Sequence, residues 1–121
     1  MIIRQTSMRN EVKEHMRDGE GNIALRHLLS PEQVPGGRLF SELTLVPGSS
    51  IGEHTHTGET EYYYILEGTG EVDEGTGPIA IAAGDLVVTG NGESHSIRNN
   101  GNTPLRLIAL ILFDRENLSS Q

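Results

Sequence analysis

Three histidines and one glutamate stand at spacings that can gather them around one cation: His54, His56, Glu61 and His95. Imidazole nitrogens and carboxylate oxygens suit divalent Mn, Fe, Co, Ni, Cu or Zn, so one such ion per chain is the expected cofactor. His54 and His56 lie at i and i+2 on an expected strand, which points both side chains to one face about 6.5–7 Å apart. The intervening Thr57-Gly58-Glu59-Thr60 reads as a four-residue hairpin loop that sets Glu61 across from His56. Directly opposed residues bring their Cβ atoms within about 4.5–5.5 Å. His95 follows the turn Gly90-Asn91-Gly92 and must arrive by tertiary contact. Three neutral imidazoles and one carboxylate leave a net charge of about +1 on a divalent ion, and octahedral coordination leaves roughly two positions for a ligand. A structural zinc closes its shell, usually with thiolates, and this chain has no cysteine. The donors bind only when deprotonated, so occupancy should fall as pH drops through the histidine range near ~6.5.

Other groups are candidates for proton handling or ligand recognition. By parity Tyr63 and Ile65 share the inward face of Glu61, while Tyr62, Tyr64 and Leu66 point away. Tyr63 either offers its phenol to a bound ligand or is a packed aromatic. Glu93, two residues before His95, is either a mobile acid or base at the rim or a solvated loop carboxylate. Tyr63 and Glu93 are therefore the candidate catalytic residues. Glu59 reads as a loop residue and not as an alternative ligand. His15 and His27 have no partner pattern and read as structural. Arg38, Arg98 and Arg106 could grip a substrate carboxylate, but Arg98 has the parity opposite to His95 and should point outward.

The elements that must carry these residues are short strands punctuated by glycine. Strands are expected over 22–29, 38–46, 51–56, 61–67, 70–73, 78–82, 85–89, 94–98 and 105–113, with no long amphipathic helix between them. Such spacing indicates an all-β antiparallel sandwich or barrel. Ser30-Pro31-Glu32-Gln33 reads as an N-cap, a proline at the first helical position and a capping-box Gln, good for about one turn. Before it, Ile2-Ile3 fits a short strand, and Met8, Val12 and Met16 fit either a weak helical stripe or an extended arm. The run Leu107–Phe113 is apolar on both parities. A strand with one face in water should alternate. Its outer face is therefore covered, either by the N-terminal arm or, as expected here, by a second copy in a homodimer.

Length and composition narrow the classes. At 121 residues the chain is one domain, divided for description into an N-terminal arm over 1–37, a barrel over 38–113 and a tail over 114–121. A net charge of −8, with Lys13 the only lysine, makes nucleic acid and anionic membranes poor partners. No apolar run reaches membrane-spanning length and the first ten residues lack a signal-peptide stretch, so a cytoplasmic location is expected. Glycine is abundant at 15 of 121 residues, and 11 of those fall between Gly48 and Gly101, as a turn-rich fold requires.

At this point the chain resembles a known family. Gly48, His54-x-His56, Glu61 and Gly68 match the first cupin motif, and Gly84, Gly92, His95 and Asn99 match the second. One departure is Gly90, where the family usually has a proline that stiffens the turn. The resemblance, to small stand-alone single-domain cupins, implies a jelly-roll β-barrel with an N-terminal arm. It also implies a metal on His54, His56, Glu61 and His95, and frequent dimers. Family activities include dioxygenases, decarboxylases and isomerases, alongside non-catalytic binders. The expected function is a metal-dependent enzyme on a small carboxylate or sugar-acid-like metabolite; the alternative is a binding or sensing protein. A single barrel without an obvious acidic lid argues against oxalate itself.

Overall fold

The computed structural model describes residues 1–115, so the expected tail from 114 lies almost wholly outside the described residues. Ten strands form: β1 (Arg9–Glu14), β2 (Asn22–Leu29), β3 (Gly37–Leu45), β4 (Ser50–Thr55), β5 (Glu59–Glu67), β6 (Thr69–Asp73), β7 (Pro78–Ala82), β8 (Leu86–Thr89), β9 (Ser94–Arg98) and β10 (Leu105–Phe113). They build two antiparallel sheets, one ordered β1-β2-β3-β10-β5-β8 and the other β4-β9-β6-β7. The architecture is all-β and antiparallel, as the strand spacing implied, and it is the jelly roll that the resemblance implied.

Alternation along each strand decides which face looks inward. In β2 the buried positions are Ile23, Leu25 and His27; in β3 Ser41, Leu43 and Leu45; in β5 Glu59, Glu61, Tyr63 and Ile65; in β9 His95 and Ile97. The apolar members of these sets form one continuous core with Leu105, Leu107 and Ala109 of β10. Full burial of such an aliphatic side chain contributes about 1.5–3 kcal/mol. At the other end of the interior the inward positions turn polar, and there the histidines gather.

Two expectations change here. Strand β4 does not pair with β5, so the hairpin read over Thr57–Thr60 does not exist; β4 pairs with β9, while β5 pairs with β10 and β8. The chain crosses from one sheet to the other after Thr55, and Glu61 meets His56 across the gap between sheets. The backbone of His56 is satisfied instead by the turn before β9: its N–H donates to Glu93 O at 3.0 Å and its carbonyl accepts from Gly92 N–H at 2.8 Å. That turn lacks the family's proline, yet it closes through Glu93, whose backbone N–H donates to Gly90 O and whose carboxylate accepts from Gly90 N–H. The second change is at the N-terminus. The stripe through Met8, Val12 and Met16 is no helix: β1 runs extended against β2, Val12 is exposed, and only Met16 packs on the core. Ile2 and Ile3 precede the first strand and are exposed. After Ser30 a single 3-10 turn forms over Pro31–Gln33 without a side-chain cap.

Strand β10 is central, between β3 and β5. Its inward residues Leu105, Leu107, Ala109 and Ile111 are buried, and the alternate set Arg106, Ile108, Leu110 and Leu112 is half-buried. The arm does not cover that outer face, because β1 extends the sheet edge beyond β2. Phe40, Tyr62, Tyr64, Leu86, Ile108 and Leu110 line a shallow apolar groove there.

Candidate metal centre

His54 comes from β4, His56 from the residue after Thr55, Glu61 from β5 and His95 from β9. One ligand atom from each lies within 4.8 Å of all the others. Glu61 Oε1 sits at the centre, 2.9 Å from His56 Nε2, 2.8 Å from His95 Nε2 and 3.4 Å from His54 Nε2. The imidazole nitrogens also crowd one another, with His54 and His95 Nε2 2.9 Å apart and His56 and His95 Nε2 3.2 Å apart.

The opposite ring nitrogens explain why these four atoms face each other. His54 Nδ1–H donates to the Gly52 carbonyl at 2.8 Å, and His56 Nδ1–H donates to the Glu59 carboxylate at 2.6 Å. Both partners accept only, so the ring proton of each neutral imidazole sits on Nδ1 and Nε2 carries a lone pair. His95 Nδ1 meets the Thr89 hydroxyl at 2.8 Å. The interior thus turns the Nε2 lone pairs of His54 and His56 toward the Glu61 carboxylate oxygen, while the Thr89 hydroxyl, able to donate or accept, suits either ring nitrogen of His95 as the proton carrier. A metal ion at their centre satisfies such a set, as do further protons on the rings. The donors present therefore fit a divalent transition metal, with outer partners fixing each ring as metal-ligating histidines require.

Glu59 is the residue that sequence reasoning misplaced. It is buried on β5, accepts from His56 Nδ1–H, and receives two 2.7 Å bonds from the Arg38 Nε and Nη2 groups. The missed signal was parity: Glu59, Glu61 and Tyr63 share one face once β5 starts two residues earlier. Arg38 is consequently engaged by Glu59, and Arg106 by Glu42 and Glu67. Arg98 points outward as expected. His15 Nδ1 meets the Gly19 carbonyl, and His27 bridges Ser41 and Glu11.

Electrostatics follow from this packing. Burial pushes the Glu61 carboxyl up, but the surrounding His54, His56 and His95 rings outweigh it and hold the group far below the usual carboxylate range. Glu61 raises His56, against burial and with help from Glu59. Burial lowers His95 more than Glu61 raises it. Arg38 holds Glu59 low despite burial, and Glu59 in turn raises Arg38.

The cluster opens into a cavity of about 560 Å³ under the N-terminal arm, lined by His54, His56, Glu61 and Tyr63 and, from the arm, Lys13 and Arg17 among others. Tyr63 stacks on His95 with ring centroids 4.9 Å apart and planes 9° apart. Burial, then the Glu61 charge, pushes its phenol well above its ordinary value, against an opposing pull from Arg17. Tyr63 is thus both the packed aromatic and a lining group. Glu93 is exposed, closes the Gly90 turn, and is absent from the cavity wall among the described residues.

Known proteins resemble this chain in sequence and in fold. Residues 41–111 match the Cupin_2 family, described as a cupin domain. An oxalate-binding protein of Thermotoga maritima is 44% identical over 114 residues, which cover 93% of this chain and 94% of that protein. A crystal structure of a predicted oxalate decarboxylase from Thermotoga maritima aligns with TM-score 0.88 at 43% identity, covering 94% of this chain and 100% of that one. A cupin 2 conserved barrel domain protein from Rhodopseudomonas palustris shares the fold, with TM-score 0.72 at 16% identity over 90% of this chain and 75% of that one.

Proposed function

The chain belongs to the cupin domain family, and from that premise we propose that it is a metal-dependent enzyme acting on a small carboxylate. One divalent transition metal per chain would be held by His54, His56, Glu61 and His95. When bound, that ion supplies a Lewis acid or electron conduit with positions left for a chelating ligand. The observation that carries this reading is the donor set itself: three imidazoles and a carboxylate oxygen converge within 4.8 Å, with the Nε2 lone pairs of His54 and His56 turned inward. The ligand class is a small carboxylate or sugar-acid-like metabolite. Oxalate returns as a candidate because a relative whose length this chain nearly spans is named an oxalate-binding protein. That name weakens the argument from barrel count.

The chain's own residues supply binding and shape. Glu59, clamped by Arg38, keeps the His56 ring in the tautomer that faces the ion. Tyr63 walls the cavity beside Glu61, and its phenol is the first proposed proton carrier. Glu93 remains the second proposed proton carrier, and its exposure makes it the weaker of the two. This scarcity of proton carriers in the cavity favours the second reading, a binding or sensing protein.

A direct test separates the two. Apoprotein is loaded with Mn(II), or with Fe(II) without air, and supplied with oxalate before air is admitted. Formate, CO₂ and O₂ consumption are then followed. The enzyme predicts turnover that His56→Ala abolishes. Saturable oxalate binding with no product for any metal establishes the binder instead.

A homodimer and a cytoplasmic location belong to the same proposal. The outer apolar face around Tyr64 and Leu110, which the arm leaves open, supports pairing with a second copy. Light scattering at micromolar concentration should give a dimer, and Leu110→Glu should give a monomer that still takes up metal. A wild-type monomer would dispose of the pairing. Among the described residues no helix is long and apolar enough to cross a membrane, and cell fractionation tests the location.

A further inference from the structure

Charge balance in the cavity asks for one more cation than the metal centre supplies. A divalent ion on three neutral imidazoles and Glu61 carries about +1. A monocarboxylate ligand cancels that charge, whereas a dicarboxylate leaves the site at about −1. Uncompensated charge is costly away from bulk water. The basic side chains on the cavity wall are Lys13, Arg17 and Arg38. Arg38 already forms two hydrogen bonds to Glu59. Lys13 lies on the exposed outer strand β1, next to Glu14. Arg17 makes no ion pair or hydrogen bond through its side chain among the described residues, although Glu11 and Glu14 line the same cavity. Its charge nevertheless reaches Tyr63, the ring stacked on His95.

The backbone under Arg17 is held in a costly conformation. His15, Arg17 and Asp18 have φ of 49°, 55° and 63°, three of the four non-glycine residues with positive φ among those described. Such strain persists only where the surroundings over-determine it, and it concentrates at ligand clamps. Here the surroundings are two close approaches to β4. A Cβ on Gly52 would lie 2.0 Å from the Arg17 carbonyl oxygen, and a Cβ on Gly19 would lie 2.2 Å from Ser50 O. The Gly52 carbonyl also orients the ring of His54. The turn that bears Arg17 is therefore seated on the residue that positions a proposed metal ligand, with its free guanidinium on the cavity wall.

We propose that Arg17 is the specificity-determining residue of this site: it anchors the second carboxylate of a ligand whose first carboxylate lies at the metal, so the site selects small dicarboxylates over monocarboxylates and neutral sugars. This rests on the reading that a carboxylate binds at the metal. The test is calorimetric titration of metal-loaded wild type, Arg17→Gln, Arg17→Lys and Lys13→Gln with oxalate and with glycolate. Glycolate keeps two carbons and two chelating oxygens but only one carboxylate. Wild type should prefer oxalate. Arg17→Gln should bind oxalate about tenfold more weakly, bind glycolate as wild type does, and retain its metal content. Arg17→Lys should recover part of the loss, and Lys13→Gln should match wild type. Equal weakening for both ligands, no weakening for either, or a loss that tracks Lys13 overturns the assignment. If wild type binds neither ligand, the underlying carboxylate reading fails and this inference falls with it. If wild type binds both and Arg17→Gln behaves like it, only Arg17 is refuted.

Discussion

Glu61→Gln leaves a folded protein that cannot keep its metal, and Glu59→Gln leaves one that keeps it poorly. The order of these losses follows from where each carboxylate points. Glu61 Oε1 is the only charged atom in the cluster and touches all three Nε2 atoms. An amide of the same size fills the space but removes the negative charge that a divalent ion needs. Glu59 acts one bond further out, through the His56 ring. A glutamine there still accepts from Nδ1–H, but it lowers the basicity of the ring and leaves Arg38 unpaired. Outer partners of metal-bound histidines are worth roughly 10–100-fold in affinity, so Glu59→Gln belongs in that range and Glu61→Gln beyond it. Chelator competition, with metal content measured after dialysis, gives both numbers, and circular dichroism checks the fold. Stoichiometric metal in Glu61→Gln would remove the centre as described. The reverse order would move Glu59 into the coordination sphere.

Metal should raise the melting temperature at neutral pH, and that increment should vanish in mild acid. An ion at a thousand times its Kd adds about 4.1 kcal/mol to the folded state, which for a domain of this size is on the order of 15 °C. The donors bind only as lone pairs, so protons compete for the site as pH falls through the histidine range near ~6.5. The metal-free baseline runs differently. Burial lowers His95, so the unfolded chain takes that proton first and stability falls as pH drops below 6.5. Glu61 raises His56, which contributes below 6.5 and is lost as pH rises through its folded value. The two oppose one another, so the slope of the metal-free curve in mild acid reads which of them is the larger. Glu61 and Glu59 are both lowered, so their contributions are present above 4.5 and are lost as pH falls further. Thermal melts with and without metal between about pH 8 and pH 4 read both curves. An increment unchanged between about pH 8 and pH 5 would contradict ligation by imidazole.

The sequence made the inward faces readable because strand alternation is local. His27 in β2, Tyr63 in β5 and His95 in β9 all fall on buried positions that parity alone assigns. The failures are non-local. Nothing in Thr57–Thr60 distinguishes a hairpin from a crossing between sheets, since both need a short polar, glycine-bearing segment. The difference lies in what pairs with β4, and that partner is β9, some 40 residues on. A hairpin there would place Glu59 in a loop, out of reach of the bond it makes to His56. Arg17 was hidden for a related reason. Its importance comes from a left-handed turn seated on Gly52, a contact between segments far apart in sequence.

The two backbone hydrogen bonds between His56 and the Gly90–Glu93 turn carry a kinetic consequence. They stitch together segments separated by more than thirty residues, and closing such a loop is a late event in folding. Until that stitch forms, a nascent chain offers an ion only the donors near one another in sequence, His54, His56 and Glu61, without His95. The complete donor set exists only on the finished jelly roll, so an ion held there would be a reward for folding and not its template. A chain built this way would meet a metal after folding, and the ions then at hand would become part of the selection.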